Sequence, residues 1–426
     1  MYRKVLMPAP AQLCECAFAT QPEVASGIRY VARQPILDLR GKVHGYELLF
    51  RNGPEAAFRG DGELATRTMI DNTVLFGLRQ LTCGLPAFVN CTAQTLTGDL
   101  VSILPSGMAV LEILETVNAT PELVSACRSL KASGYRLALD DFLWKPGMDP
   151  LVEIADYIKV DFTLANHRER VKLLDRLRDF TVALIAEKVE TQEQLAEARE
   201  EGFTLIQGYY FCRPTLLENR KIPVNRLSHV EILRVLQDDA LDLQELARLV
   251  KCDASLTYRL LRLINSPFCA MQQEVKSVQG ALIAVGEEMF RRLATLAIAS
   301  ELNAGQPPEL LRMALVRGRF CELASDPRGL DRKEQYLLGL LSLLPAMLRL
   351  PMRELAPLLP LREEVRQALV GADIEERCLL AWLERHELGD WAACEWIVET
   401  HGLDAGTLPG CYEEAVVWAE AALHFA

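Results

Sequence analysis

The first half of the chain alternates short apolar runs with amphipathic stretches. Between residues 28 and 214 the runs include PAFVNCT, MAVLEILE and DYIKVDF, and amphipathic stretches such as Pro121 to Ser133 separate several of them. Buried strands that alternate with helices predict a mainly parallel sheet with right-handed crossovers. Because seven or eight such units follow one another, a closed barrel is favoured over an open sheet, and the predicted fold is a TIM-like (β/α) barrel.

The opening of this half has a different pattern. Two strand-like stretches, Tyr30 to Leu39 and Lys42 to Arg51, are joined by a short turn at Arg40-Gly41. This spacing is typical of a hairpin, so one strand is expected to enter the barrel antiparallel.

After Leu227 the apolar residues recur at three- and four-residue spacing, which predicts an all-helical second domain. The segment Arg213 to Arg226 loses this periodicity and contains two prolines, so we place the domain boundary there. The predicted organisation is an N-terminal tail over residues 1–27, a barrel domain over 28–222 and a helical domain over 223–426.

Composition narrows the class of protein. The chain has 46 Lys and Arg against 58 Asp and Glu, a net charge of −12, which argues against a protein that coats duplex nucleic acid. The most apolar uncharged run, Tyr336 to Leu348, is too short to span a bilayer. The twelve cysteines form no C-x-x-C pair and suit a reducing compartment. We therefore expect a cytoplasmic protein that is not anchored in a membrane.

Polar side chains lie within or just after most of the apolar runs. In a parallel barrel these positions converge at the C-terminal mouth, where active sites of this architecture lie. The carboxylates and the amide suit Mg²⁺ or Mn²⁺ better than zinc, because the donors are oxygen and no histidine is among them. An adjacent acidic pair suits two metals in phosphoryl transfer. The residues are Glu47, Asn90, Glu112, Asp140, Asp141, Lys159, Asp161, Glu190 and Gln207. Arg51 could bind a phosphate through two parallel N–H groups of its planar guanidinium.

The order of these motifs is recognisable. YELLFR resembles the E-x-L-x-R signature of EAL domains, the cyclic di-GMP phosphodiesterase family, and VNCT, LEILE, LALDDF, IKVD, AEKVET and QGYYF resemble the rest of its motif string. The opening VARQPILDLRGKVHGYELLFR is similar to the YuxH-like subgroup, in which a compact EAL domain precedes an HDOD domain. DASLTYRLLRLINSPF and SVQGALIAVGEEMFRRL are similar to the HDOD pattern.

The resemblance implies a role for each matched residue. It implies ligands of a first metal, Mg²⁺ or Mn²⁺, at Glu47, Asn90, Glu112 and Asp140. It implies a metal-bridging carboxylate at Asp141 and residues that hold and activate the attacking water at Lys159 and Glu190. It implies ligand or supporting contacts at Arg51, Asp161 and Gln207. Glu115 matches a glutamate that braces the loop after the acidic pair, and in the family that loop helps the domain to form a homodimer.

Two departures from the family pattern weaken the expectation of catalysis. Active EAL domains read D-D-F-G-x-G, whereas this chain has Leu143 in place of the first glycine and Pro146 further on. If that turn needs a positive φ, Leu143 strains it. The A-E-G-V-E motif has Lys188 in place of its glycine. A catalytic metal site whose ligands lack their supporting contacts loses much of its activity.

The helical domain has no His-Asp dipeptide and therefore lacks the ligands of an HD-type phosphohydrolase, in agreement with HDOD. Three functions stay open at this point. The first, which we favour, is a signalling protein that relays a signal, through cyclic di-GMP as a ligand, to a protein partner with weak or no catalysis. The second is an active metal-dependent phosphodiesterase that converts cyclic di-GMP to linear pGpG. In the third, only the HDOD surface binds a partner and the barrel is a scaffold.

Overall fold

The first half of the protein folds into a closed barrel. The structure, a computed structural model, describes residues 29–52, 78–212, 229, 232–233, 236, 250–251, 254–265, 269, 275–325, 329–359 and 361–424. The barrel consists of eight strands in chain order, and the predicted barrel is thereby confirmed. The strands are β1 (Arg29–Asp38), β2 (Val43–Asn52), β3 (Ala87–Cys91), β4 (Ala109–Ile113), β5 (Arg136–Leu139), β6 (Tyr157–Asp161), β7 (Ala183–Glu187) and β8 (Leu205–Gln207).

The hairpin prediction at the start of the barrel is also confirmed. Strand β1 pairs antiparallel with both β2 and β8, whereas all other neighbouring strands are parallel. The turn between β1 and β2 contains Gly41 at φ +80°, a conformation that glycine adopts without a steric penalty. Because β1 runs in the opposite direction, its first residues lie at the same mouth as the ends of the other strands.

The interior of the barrel is divided into an apolar layer and a polar layer. The apolar layer is formed by Ile36, Phe88, Val110, Ala138, Tyr157, Ile185 and Leu205. Side chains of a strand alternate between its two faces, so the residue two positions further along also points inward. That residue is polar on six parallel strands, namely Asn90, Glu112, Asp140, Lys159, Glu187 and Gln207.

Helices cover the outside of the barrel. Asn166 and Glu169 form a reciprocal capping box at the start of one helix, and Thr191 and Gln194 form another, which satisfies backbone N–H groups that would otherwise lack acceptors. The helices described here are α1 (Leu78–Leu81), α2 (Ala93–Thr97), α3 (Pro121–Ala132), α4 (Asp149–Val152), α5 (His167–Leu177) and α6 (Gln192–Glu201).

The second half is helical, as predicted. Where the sequence shows one periodic stretch over residues 281–299, the structure has two helices separated at Gly286, whose φ is +76°. The described helices are α7 (Ala254–Ile264), α8 (Val278–Val285), α9 (Glu287–Leu302), α10 (Pro308–Ala324), α11 (Arg332–Leu341), α12 (Leu344–Leu348), α13 (Met352–Leu355), α14 (Glu363–Val370), α15 (Cys378–Glu387), α16 (Trp391–His401) and α17 (Leu408–His424).

The predicted tail and the predicted boundary segment, residues 213–226, lie outside the described residues. The division into residues 28–222 and 223–426 therefore stays a prediction. In the described part of the chain, no helix has the length and apolar character needed to cross a membrane.

The helical half packs directly against β1 and β2. The Tyr46 hydroxyl donates a hydrogen bond of 3.0 Å to Glu309 of α10. The buried His386 of α15 donates through Nε2 to the Val31 carbonyl at 3.1 Å. Its ring stacks on Trp382 with centroids 4.7 Å apart and meets the edge of Tyr412 at 4.6 Å. The two halves therefore share a buried contact that contains a titratable ring.

Acidification is expected to weaken the fold through His386. Burial lowers the pKa of His386 from 6.5 to about 3. Between these values the unfolded chain binds a proton that the folded chain does not, so stability is present above 6.5 and is lost as the pH falls, by at most about 1.4 kcal/mol per pH unit. Denaturant unfolding at about pH 7 and about pH 5 should show a smaller loss for His386→Gln than for the wild-type chain. Equal losses in both proteins would contradict this assignment.

Candidate functional site

Polar side chains from seven strands meet at the mouth of the barrel. At their centre is the Lys159 ammonium of β6, whose side chain is 1% exposed. Its Nζ lies 2.7 Å from Glu112, 2.8 Å from Asp140 and 3.0 Å from Glu47. It also lies 2.8 Å from Glu187 at the end of β7. Four carboxylates of four different strands thus share one buried cation.

Glu47 is held from two further sides. Gln207 Nε2 donates to its Oε2 at 2.6 Å, and Asn90 Nδ2 donates to its Oε1 at 3.3 Å. Burial alone would raise the pKa of Glu47, but the Lys159 ammonium and these two donors outweigh burial and hold the pKa below its ordinary value. Glu47 is therefore the carboxylate of the cluster that is most firmly kept ionised.

Other carboxylates of the cluster have the opposite shift. Burial, with the charge of Glu47 nearby, raises the pKa of Glu112 well above its ordinary value despite Lys159. Burial likewise raises the pKa of Asp140, and it raises that of Glu187 to about 8. One ammonium does not compensate four buried carboxyl groups, so the cluster contains more acidic groups than cationic groups.

Several oxygens at this mouth accept no hydrogen bond from the described residues: Asn90 Oδ1, Glu112 Oε2 and Gln207 Oε1 in the cluster, and Asp141 Oδ1 beside it. Buried oxygens without proton donors are suited to a hard cation such as Mg²⁺ or Mn²⁺. Within the described residues, however, no group of three or more His, Cys, Asp or Glu side chains is arranged to hold a metal ion. The carboxylates converge on Lys159 instead. The donor chemistry therefore fits a divalent cation, provided that Lys159 shifts away from some of its partners.

Glu187 also belongs to the cluster, although the family resemblance implied a role for Glu190 instead. The backbone N–H of Glu190 donates to Gln194 Oε1 at 2.8 Å, at the start of α6. The alternation along β7 contains the missing signal, because Glu187 follows the inward-facing Ile185 by two positions. The assignment of Glu190 to the attacking water stays a prediction, and Glu187 is a second candidate for it.

A second, outer group of charges lies beside the cluster. Lys188 Nζ is hydrogen-bonded to Asp161 Oδ2 and lies 3.8 Å from Asp141 Oδ1. The other oxygen of Asp161 accepts from the Thr163 amide and hydroxyl and from the Leu164 amide. Burial would raise the pKa of Asp161, but these donors outweigh it and lower the pKa. Burial raises the pKa of Asp141, and the charge of Asp140 raises it further.

The turn after the acidic pair does not require a positive φ at Leu143, so the strain expected under that condition does not arise. The non-glycine residues with positive φ among those described are Cys83, Asp141, Lys188 and Arg349. Leu143 is 54% exposed, and Trp144 beside it packs on Phe180 and under the Arg176 guanidinium. Lys145 donates to the Glu115 backbone carbonyl at 2.9 Å. The loop is thus held by contacts of its own, and the strained replacement of a family glycine is Lys188.

The remaining predicted ligand contact is described only in part. Arg51 lies in β2, where its backbone pairs with Tyr30 of β1. Its side chain is outside the described residues, so the phosphate contact stays a prediction.

Comparison with known proteins identifies both halves. The family profile of the EAL domain matches residues 64–214, and that of the HDOD domain matches residues 222–401. The uncharacterized protein YuxH of Bacillus subtilis strain 168 is 30% identical over 400 residues, which cover 91% of this chain and 97% of YuxH. The cyclic di-GMP phosphodiesterase CdgJ of Vibrio cholerae serotype O1 is 32% identical over 391 residues, which cover 88% of each chain.

Solved structures with an EAL domain are more distant. The Bacillus subtilis YkuI protein, solved in complex with its substrate cyclic di-GMP and calcium, is 19% identical with a TM-score of 0.38. The match covers 53% of this chain and 72% of YkuI.

Proposed function

The chain belongs to the family of proteins in which an EAL domain precedes an HDOD domain, and from that premise we propose that it is a cyclic di-GMP signalling protein with slow or no turnover. Its barrel binds the dinucleotide together with a divalent cation, and its HDOD or barrel surface relays the bound state to a protein partner. The observation that supports ligand binding is the convergence of four carboxylates of four strands on Lys159.

The cation would be Mg²⁺ or Mn²⁺ and would be held by Glu47, Asn90, Glu112 and Asp140. When bound, it supplies Lewis-acid stabilisation of the charge that develops on a phosphodiester during hydrolysis. Gln207 and Asn90 orient Glu47 by hydrogen bonds. Lys159 and a carboxylate, Glu187 or Glu190, are suited to hold a water molecule and to accept its proton.

The second candidate function is an active cyclic di-GMP phosphodiesterase. It is favoured by Glu47, Asn90, Glu112, Asp140 and Lys159, which meet in the cluster, and by the relative CdgJ, which carries that name. Weak turnover is favoured by Lys188, whose ammonium lies beside Asp141 and Asp161. A displacement of about 1 Å in a reacting group costs on the order of a hundredfold in rate, so an altered outer group is enough to separate binding from catalysis.

A hydrolysis assay with Mn²⁺ tests this proposal. We expect slow or undetectable conversion of cyclic di-GMP to pGpG by the wild-type chain, with binding of the dinucleotide measurable by calorimetry. Glu47→Ala should abolish any turnover. A further variant carries the family's glycine-rich loop in place of Leu143 to Gly147. If Lys188 limits turnover, this graft should leave turnover low. If the loop limits turnover, the graft should raise it.

The outcomes separate the three functions. Rapid wild-type turnover that Glu47→Ala abolishes would establish the phosphodiesterase. If the chain neither binds nor hydrolyses the dinucleotide, signalling through the HDOD surface would be the remaining function.

Mn²⁺ should also raise the melting temperature of the wild-type chain, and Asp140→Asn should reduce that shift. Identical melting curves in Mn²⁺ and in chelator would contradict metal binding.

A further inference from the structure

Lys188 has an unusual backbone conformation and an unusual neighbourhood. It follows directly on Glu187 at the end of β7, at φ +54°. The left-handed region strains an L-residue, because its Cβ then lies too close to the following carbonyl oxygen. The side chain is half exposed, yet its ammonium is hydrogen-bonded to the buried Asp161 carboxylate. This ion pair fixes the side chain across the mouth of the barrel.

The charges of the mouth divide into two groups, each with its own ammonium. Lys159 contacts the inner carboxylates, those of Glu47, Glu112, Asp140 and Glu187. Lys188 contacts the outer pair, Asp141 and Asp161. Both oxygens of Asp161 already accept hydrogen bonds, one from Lys188 and the other from Thr163 and Leu164. Asp161 therefore has its negative charge compensated without a metal ion, and Asp141 has the same ammonium 3.8 Å from its Oδ1, an oxygen that accepts no hydrogen bond from the described residues.

We propose that Lys188 is a tethered counter-ion that takes the place of a second divalent cation beside Asp141 and Asp161, so that the barrel binds one divalent cation and not two. This inference rests on the proposed function, because it presupposes a cation at the inner carboxylates. Asp140 and Asp141 are adjacent and by themselves suit two metals. A divalent cation about 4 Å from an ammonium is strongly repelled. At the inner site four carboxylates offset the repulsion from Lys159, whereas at the outer site only Asp141 and Asp161 offset the repulsion from Lys188.

The tether gives Lys188 a further advantage over a free ion. Its ammonium is covalently attached and reaches Asp161 from the neighbouring strand, so it loses no translational freedom when it binds. A free cation must displace it and must also satisfy Asp161, which accepts bonds from four described donors, namely Lys188 Nζ, the Thr163 amide, the Thr163 hydroxyl and the Leu164 amide. Single-ion binding would account for the slow turnover that we propose for a chain that keeps the inner carboxylates.

The test is the number of Mn²⁺ ions bound per full-length chain, measured by calorimetry and by the loss of the free-ion paramagnetic resonance signal. We expect one ion for the wild-type chain and for Lys188→Arg. We expect two for Lys188→Gln, which removes the charge, and for Lys188→Gly, which also removes the backbone strain. Lys145→Gln is the matched control, because Lys145 lies at the same mouth and, within the described residues, donates to the Glu115 carbonyl rather than to the outer carboxylates, and it should bind one ion.

Two results would overturn the inference and leave the proposed function intact. One is a wild-type chain that binds two ions, and the other is a Lys188→Gln chain that still binds one. Absence of Mn²⁺ binding by every variant would instead contradict the metal site on which the proposed function depends. The measurement uses no turnover, so it remains decisive in a chain that does not hydrolyse the dinucleotide.

A different observation concerns the contact between the two halves. Gln207 Nε2, which holds Glu47, is also 3.1 Å from Gln34 Oε1 of β1. Gln34 Nε2 in turn lies 3.4 Å from the carbonyl oxygens of Glu387 and Leu388 at the end of α15. The Tyr209 hydroxyl donates to the same Glu387 carbonyl at 2.5 Å. The last carbonyls of a helix have no partner within it, and here barrel side chains supply the donors.

The geometry points to Gln34 as a positioning residue that connects the end of α15 to Glu47 through Gln207. This inference also rests on the proposed function. A movement of α15 relative to the barrel shifts the Gln34 amide, and the Gln207 amide that Gln34 orients then holds Glu47 less well. The HDOD domain thereby adjusts the cation affinity of the barrel, and a bound cation stiffens the end of α15 in return, since coupling between sites is reciprocal.

Mn²⁺ affinity of the full chain tests this connection. Loss of a residue bonded to a metal ligand typically costs about 10–100-fold in affinity. Gln34 acts one step further away, through Gln207, so we expect a loss near the lower end, about 10-fold, for Gln34→Ala. Tyr209→Phe removes a helix contact but leaves Gln34 and Gln207 in place, so it should change the affinity less. Mn²⁺ should slow amide exchange at residues 388–390 in the wild-type chain and not in Gln34→Ala.

An unchanged affinity in Gln34→Ala would overturn the positioning role, and so would exchange at residues 388–390 that does not respond to Mn²⁺ in the wild-type chain. Equal losses in Gln34→Ala and Tyr209→Phe would also count against it, because the effect would then follow from docking of α15 in general. A wild-type chain that binds no Mn²⁺ would remove the proposed metal site as well.

Discussion

Replacing Lys159 with methionine is expected to lower the free energy of unfolding by about 3–5 kcal/mol in metal-free buffer. The side chain is buried, and its ammonium lies within 3.0 Å of Glu47 and closer still to three other carboxylates. Methionine has a similar length and no charge, so the variant removes the cation and creates little empty space. The remaining carboxylates then repel one another in a site from which water is largely excluded.

A divalent cation should reverse much of this loss. Mn²⁺ that binds the folded chain and not the unfolded one adds stability by mass action, and in Lys159→Met it no longer competes with the ammonium. Denaturant unfolding should therefore show a larger Mn²⁺ effect in the variant than in the wild-type chain. Lys131→Met is the control, because Lys131 pairs with Asp156 near the surface, where such pairs contribute about 0–1 kcal/mol. Equal unfolding free energies for Lys159→Met and the wild-type chain in chelator would contradict the structural role of the ammonium.

The polar layer of the barrel follows from the sequence once the inward face of each strand is known. Buried apolar residues occupy both faces of β3 and β4, so it is the structure that shows that Phe88 and Val110 point inward, and the polar residue two positions later then shares that face. That rule identifies Asn90 and Glu112, and applied to β7 it identifies Glu187 as well. Glu190, which the resemblance implies, lies three positions later and beyond the end of β7, where the alternation of the strand no longer applies.

Two other features are not readable from the sequence. Leu143 and Lys188 both replace a glycine of the family pattern. Which of the two adopts the left-handed backbone conformation depends on how each loop packs against its neighbours. The contact of Gln34 with Glu387 joins residues 353 positions apart, and it depends on how two domains dock. Periodicity determines which faces are apolar, but it does not determine which faces meet.

The largest stability effect outside the barrel is expected at Arg317 of α10. Its guanidinium is buried and donates to the Glu387 carboxylate of α15, with Nη2 at 2.6 Å from Oε2. Burial raises the pKa of Glu387, although Arg317 opposes that shift. The side chains of Arg317 and Glu387 are only 7% and 6% exposed. Water therefore has little room to solvate either partner if the other is removed.

Arg317→Met should lower the free energy of unfolding by about 3–5 kcal/mol, because it leaves the Glu387 carboxylate buried without its cation. The double variant Arg317→Met, Glu387→Leu should recover most of that loss, since buried ion pairs are often replaceable by apolar side chains of similar volume. The control is Arg366→Met, whose exposed pair with Glu363 should contribute about 0.5 kcal/mol or less. Denaturant unfolding of the four chains gives the comparison. If the double variant is as unstable as Arg317→Met, the loss comes from the other Arg317 contacts, with Ser342 and Glu384, and not from an uncompensated charge on Glu387.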